Sequence, residues 1–146
     1  MATNMYKKYT ESLCREWPVP SGTQSGTVVL HPISNQIGVT ITARGDSTKN
    51  YTNPDGTVIT GIPNGGVGNK AASATVAVDG SWLLNVATTV AGDTNGGTGT
   101  PSGTPVYRTT ANGNITLASA GGVRIGVIDD GVIVGTTAPV LIGAGV

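Results

Sequence analysis

His31 is the single histidine of this 146-residue chain and stands beside Pro32 at the end of an apolar run. A histidine can act as general base in a Ser-His-Asp relay, but no Gly-x-Ser-x-Gly elbow accompanies it. The better reading is a strand-end histidine that hydrogen-bonds its own backbone. Asp129 and Asp130 are adjacent carboxylates, which on a strand face opposite sides and cannot share a proton. With Gly131 behind them they read as turn formers. Asp93-Thr94-Asn95-Gly96 matches the start of a calcium loop but lacks the distal bidentate glutamate. Gly66-Val67-Gly68-Asn69-Lys70-Ala71 matches the dinucleotide fingerprint in form only. No strand leads into it and no helix follows, so it reads as a loop. As a calcium-binding nonapeptide it would occur once, with Asn69 where an aspartate belongs. Arg44-Gly45-Asp46 is the tripeptide of integrin-binding adhesins, here running into Ser47-Thr48-Lys49-Asn50, which reads as a polar turn. Cys14 is the only cysteine, which excludes an internal disulfide or a cysteine zinc cluster. No catalytic, cofactor or metal site is expected, and the chain is not expected to be an enzyme.

The elements that must position these residues are strands. Valine (17), isoleucine (10) and threonine (22) fill a third of the chain, against 6 leucines and no phenylalanine. Stiff β-branched side chains favour strands and mildly disfavour helices. Twenty-three glycines and eight prolines supply turns. Only 11% of residues are charged, and eight acids balance eight bases, which leaves no field to steer nucleic acid or anionic lipid. No nucleic-acid or membrane partner is therefore expected. No run approaches the roughly 20 apolar residues of a membrane-spanning helix, and no signal-peptide pattern follows Met1. Synthesis in the cytoplasm is the expectation.

Residues 1–17 read as an N-terminal arm, rich in charge and carrying Tyr6, Tyr9 and Trp17, with a short edge strand or a tail as the plainer alternative. Pro18 and Pro20 flank Val19 and lead into a turn-rich stretch ending at Gly26. Residues 18–146 read as one β domain. Strands are expected at Thr27–His31, Gln36–Ala43 and Thr57–Thr60, the last after the turn Asn53-Pro54-Asp55-Gly56. Ser73–Val78 and Ser81–Ala87 form the clearest hairpin, joined by Asp79-Gly80 as a type I′ turn. Residues 91–105 hold five glycines and two prolines and read as a long flexible loop. Further strands are expected at Pro105–Thr109, Asn114–Ser119, Val123–Ile128, Gly131–Val134 and Pro139–Ile142, with Asp129-Asp130-Gly131 turning a second hairpin. About ten short strands point to a small barrel or sandwich.

The order of several short motifs resembles a known family. Pro18-Val19-Pro20-Ser21-Gly22-Thr23-Gln24-Ser25-Gly26 precedes Ile37-Gly38-Val39-Thr40. Ala91-Gly92-Asp93 and Val106-Tyr107 follow, and Arg124-Ile125-Gly126-Val127-Ile128 lies near the C-terminus. This arrangement, over residues 15–146, resembles the capsid decoration (cement) proteins of tailed double-stranded DNA bacteriophages. In that family Ala-Gly-Asp runs straight into the Val-Tyr strand, whereas here Thr94–Gly103 intervene, an insertion expected to form a surface loop tip. The segment Gly61–Lys70 is also longer and richer in glycine than the family pattern.

The resemblance implies a β-barrel or β-tulip-like domain on the outer surface of the phage head. It implies the major capsid protein as partner, homotrimers at three-fold and quasi-three-fold points, and a location in the virion after assembly in the host cytoplasm. Tyr6, Tyr9, Trp17, Pro18 and Pro20 are the candidate contacts to the capsid or a neighbouring subunit. The alternatives are a tail or fibre component, or a carbohydrate-binding or adhesion module. The last is disfavoured by scattered aromatics that form no sugar-stacking platform.

Overall fold

The computed structural model describes residues 5–7, 14–45, 48–63 and 69–143, and every regular element among them is a strand. In chain order these are β1 (Met5–Lys7), β2 (Cys14–Pro18), β3 (Val28–Leu30), β4 (Ile37–Thr40), β5 (Thr48–Thr52), β6 (Val58–Pro63) and β7 (Ser73–Ala77). Then follow β8 (Ser81–Ala87), β9 (Gly92–Asp93), β10 (Pro105–Thr109), β11 (Ile115–Thr116), β12 (Gly122–Ile128), β13 (Val132–Ile133) and β14 (Thr137–Ile142). The protein is all-β, as its β-branched composition requires.

Where the sequence reads as one β domain from residue 18, the chain gathers into two compact units that divide between Val78 and Asp79. The first unit contains a four-stranded antiparallel sheet in the order β2-β7-β4-β3 and a separate two-stranded ribbon, β5–β6. Its apolar cluster consists of Trp17, Val19, Val29, Ala74 and Val76, with Val78 packed alongside. Gly38 on β4 leaves room for the neighbouring strand β7: a β-carbon there would lie 2.3 Å from Val76 Cγ1 and 2.7 Å from the Ala77 carbonyl oxygen.

The second unit is built on a closed five-strand barrel, β8-β11-β10-β12-β14, with β14 returning to pair with β8. Closure removes the open edges that a flat sheet would leave. Along β8, Trp82, Leu84 and Val86 are buried while Asn85 and Ala87 are exposed, so one face lines the barrel. Val140 and Ala138 on β14 stand opposite Trp82 and Leu84, and all four are buried. Burial of a side chain such as Leu84 or Val140 stabilises the unit by about 1.5–3 kcal/mol. A register shift between Val106 and Tyr107 marks a bulge in the β10–β12 pairing, the device by which a strand bends to close a barrel. The short β1 pairs with β8, and β9 pairs with β13.

Two expected hairpins do not form. β7 pairs with β2 and β4, whereas β8 pairs with β14, β11 and β1, so Asp79-Gly80 joins the two units instead of turning a hairpin. A type I′ turn needs positive φ at both central residues; Gly80 has φ 92°, but Asp79 is not among the positive-φ residues. The Asp79 carbonyl instead accepts a hydrogen bond from Trp82 Nε1 at 2.9 Å. Likewise β12 pairs with β10 and β14, and β13 leaves it to pair with β9. Buried Asp129 donates its backbone N–H to the Pro139 carbonyl instead of turning a hairpin. A third difference is β5, a strand over part of the expected polar turn.

Candidate interaction surface

His31 Nδ1 accepts hydrogen bonds from the backbone N–H groups of Ile33 (3.3 Å) and Ser34 (3.1 Å), fastening the turn between β3 and β4. Its ring meets Trp17 edge-on, with centroids 5.3 Å apart and planes at 76°. Asn69 is buried in a hydroxyl network with Thr42 and Thr75, its Nδ2 donating to both at 3.3 and 2.9 Å. The Gly66–Gly68 part of that motif lies outside the described residues. Arg44 is half-buried and donates from Nε to the Ala72 carbonyl at 3.3 Å, Gly45 is buried, and Asp46 lies outside the described residues. Among the described residues, no group of three or more His, Cys, Asp or Glu side chains could hold a metal ion. No helix among them is long and apolar enough to cross a membrane.

The five candidate contact residues separate. Tyr9 lies outside the described residues, as do residues 1–4 and 8–13, and Tyr6 lies on β1. Trp17 is not a surface anchor: it is only 3% exposed, at the centre of the first unit's own core. Pairing of Cys14–Pro18 with Ser73–Ala77 turns alternate β2 residues inward, and Trp17 is the one that lands there. The last four residues of the expected arm are thus sheet residues. Pro18 and Pro20, on either side of buried Val19, are exposed.

Residues 91–105 form a fastened loop, not a flexible one. Thr94 is 2% exposed; its hydroxyl donates to the Gly131 carbonyl at 3.1 Å and accepts from the Gly131 N–H at 2.9 Å. Thr100 is buried too, and its hydroxyl accepts from the Val90 N–H at 2.8 Å. Gly103 N–H then donates to the Ile128 carbonyl at 2.8 Å, returning the chain to the barrel. Within the expected insertion tip, 95–98 and 101–103 reach solvent while Thr94, Gly99 and Thr100 face inward. Threonine hydroxyls here do for the backbone what a strand partner does elsewhere.

What the sequence does not reveal is where apolar side chains are left at the surface. In the first unit, Ile33 at the tip of the β3–β4 turn is 88% exposed. On the ribbon, Val58 and Ile59 are consecutive and so face opposite ways, yet both are about half exposed, at 52% and 46%. At this end of β6 an apolar side chain therefore reaches solvent on each face. Its turn is held by Asp55, whose Oδ1 accepts from the Thr57 N–H at 2.8 Å. Hydrogen bonds from the Thr57 backbone and hydroxyl hold that carboxyl below its ordinary range. In the second unit, Val132 and Val134 flank buried Ile133 on one side of the β9–β13 pair and are exposed, as is Val90. Strands with exposed β-branched side chains bind other strands and apolar surfaces through shape and backbone hydrogen bonds, without reactive groups.

Compared with known proteins, the chain matches no protein-family model, no curated protein sequence and no solved structure.

Proposed function

We propose that this chain is a capsid decoration protein of tailed double-stranded DNA bacteriophages. It binds the outer surface of the expanded head as homotrimers at three-fold and quasi-three-fold positions, with the major capsid protein as partner. The observation that carries the reading is that motifs scattered along the sequence fall on paired strands. Val106-Tyr107 on β10 lies beside Arg124–Ile128 on β12, both in the barrel. The Gly-Val pair of the earlier motif is Gly38-Val39 on β4, where only glycine clears Val76 and Ala77. Apolar side chains left on strands and turns in both units, and a balanced charge, suit docking onto a protein shell.

The mechanism follows from linkage. A protein that binds the expanded shell and not its disassembled state stabilises that shell by RT ln(1 + [L]/Kd), about 2.7 kcal/mol per site at a hundredfold excess over Kd. Symmetry repeats that increment over every equivalent site. The test is to purify virions and count copies of this chain against the major capsid protein. About one copy per shell subunit, released with heads, is the expected result. A few copies travelling with tails, or none in the particle, would overturn the proposal. For the N-terminal segment, removal of residues 2–7 is the informative truncation, because removal of residues 2–17 also takes Trp17 out of the core.

A further inference from the structure

The five barrel strands β8, β10, β11, β12 and β14 carry two charged residues, Arg108 and Arg124, and no acid. The Nε atoms of both arginines are buried and have no hydrogen-bond partner. The two differ in the face they occupy. Arg108 on β10 stands opposite Ile115 of β11 and Val123 of β12, and Ile115 stands opposite Val86 of β8. Residues directly opposite one another on neighbouring strands share a face, and Val86 is buried with Trp82 and Leu84. Arg108 therefore belongs to the inner face, at the end of the barrel where β10 runs into the turn at 110–114. Arg124 stands opposite Tyr107, one residue along, and belongs to the outer face.

A charge on an apolar inner face with no counter-charge is costly, and departures of this kind mark functional positions. We propose that Arg108 anchors a carboxylate-binding site at this end of the barrel. The guanidinium is placed by shape alone. It lies against the backbone of Gly113, where a β-carbon would be 2.9 Å from Nη2 and 3.3 Å from Cζ. Among the described residues, no hydrogen bond or ion pair engages it. The residue beside Gly113 adds donors of fixed orientation. Asn112 Oδ1 accepts from the Asn114 N–H at 3.0 Å and from the Thr109 hydroxyl, which leaves its exposed Nδ2 with two N–H groups to give.

These groups select the ligand. A cation and an amide donor, with no acid on the barrel strands to compete, call for an oxyanion. One arginine balances a single negative charge, and its planar fork matches a carboxylate two bonds at a time. Ile115 and Val123, both half-buried on the same face as Arg108, offer apolar surface to the carbon chain behind that carboxylate. This inference rests on the register of the barrel strands and is independent of the capsid reading.

Titration of the full chain with sodium acetate at constant ionic strength, followed by nuclear magnetic resonance, tests it. The expected result is saturable shifts at the Arg108 guanidinium and the Asn112 side-chain amide, with a dissociation constant in the millimolar range. Arg108→Gln weakens binding about tenfold or more, and Arg108→Lys, which keeps the charge but loses the fork, roughly threefold to tenfold. Arg124→Gln binds as the unaltered chain does. A capped glutamyl tripeptide in place of acetate separates the sources: tighter binding supports a protein side chain as the ligand, and equal binding supports a free carboxylate. Thermal unfolding without ligand gives a second reading. Arg108→Met keeps the length of the stem and should melt no lower, because it removes an unpaired charge from an apolar face. Shifts that never saturate, or an equal loss of binding in Arg124→Gln, overturn the proposal. So does a lower midpoint for Arg108→Met, which would assign the guanidinium to the fold; none of these outcomes touches the virion count.

Discussion

Gly126 and Leu141 approach so closely across β12 and β14 that a β-carbon on Gly126 would lie 2.0 Å from the Leu141 carbonyl oxygen. The obstructing atom is backbone, so no side-chain rotation can relieve it. Gly126→Ala is therefore expected to destabilise the barrel by about 1–3 kcal/mol or more, as overpacking does. Thermal unfolding should register this as a loss of roughly 2–4 °C per kcal/mol. An unchanged midpoint would show that β14 can shift without cost.

Trp17 is expected to act on folding and not on partner binding. Trp17→Ala removes the largest side chain of the first unit's cluster and should cost about 3–5 kcal/mol. Pro18→Ala and Pro20→Ala, at exposed positions, should leave stability nearly unchanged. Denaturant titration of the three variants separates these roles, and near-wild-type stability for Trp17→Ala would contradict the burial described above.

Thr94→Val keeps the shape of a buried side chain but deletes the hydroxyl that both donates to and accepts from Gly131. Leaving those backbone groups unmatched should cost about 1–3 kcal/mol, and Thr94→Ser should recover much of it. The local signature is faster hydrogen exchange and proteolysis across 95–103 in Thr94→Val, with the rest of the barrel unaffected.

Asp55 gives the ribbon a pH dependence. Hydrogen bonds from Thr57 lower its carboxyl from the ordinary 3.8, so the folded turn favours the ionised form. The turn's support is complete above that ordinary value and fades as pH falls through the lower folded one. Exchange of the Thr57 amide should accelerate below about pH 4. In Asp55→Asn that acid-dependent change should vanish.

Much of the strand content was legible along the chain. Pro105–Thr109 and Ser81–Ala87 are strands over the spans expected, because turn residues bound runs of β-branched and apolar side chains there. Partners were less legible, since pairing is decided by residues far away. Ser81 to Asn85 find a five-residue match on β14, which outweighs the two-residue turn at Asp79-Gly80. β5 escaped notice because Thr48–Thr52 carries no alternating apolar pattern. The loop at 91–105 looked slack because glycine count reports chain freedom, whereas Thr94 and Thr100 spend their hydroxyls on backbone groups that only the fold brings near. Trp17 misled for a related reason: charged neighbours on an edge strand suggest a surface, while the alternation of β2 turns this one ring inward. His31 was readable, since its bonds are to residues two and three positions away.

The barrel joins its earliest strand, β8, to its latest, β14, with Leu141 opposite Ser81 and Thr137 opposite Asn85. On a translating ribosome, β8, β10 and β12 all emerge before β14 exists, and the cylinder has no means of closing until Thr137–Ile142 have been made. Such long-range closure is slow, because the loop entropy is lost before any contact compensates it. During that interval Trp82, Leu84 and Val86 are wet, and the nascent chain passes through its most aggregation-prone moment. Loss of the residues from Thr137 onward should therefore leave an unclosed, adhesive sheet and not a smaller barrel.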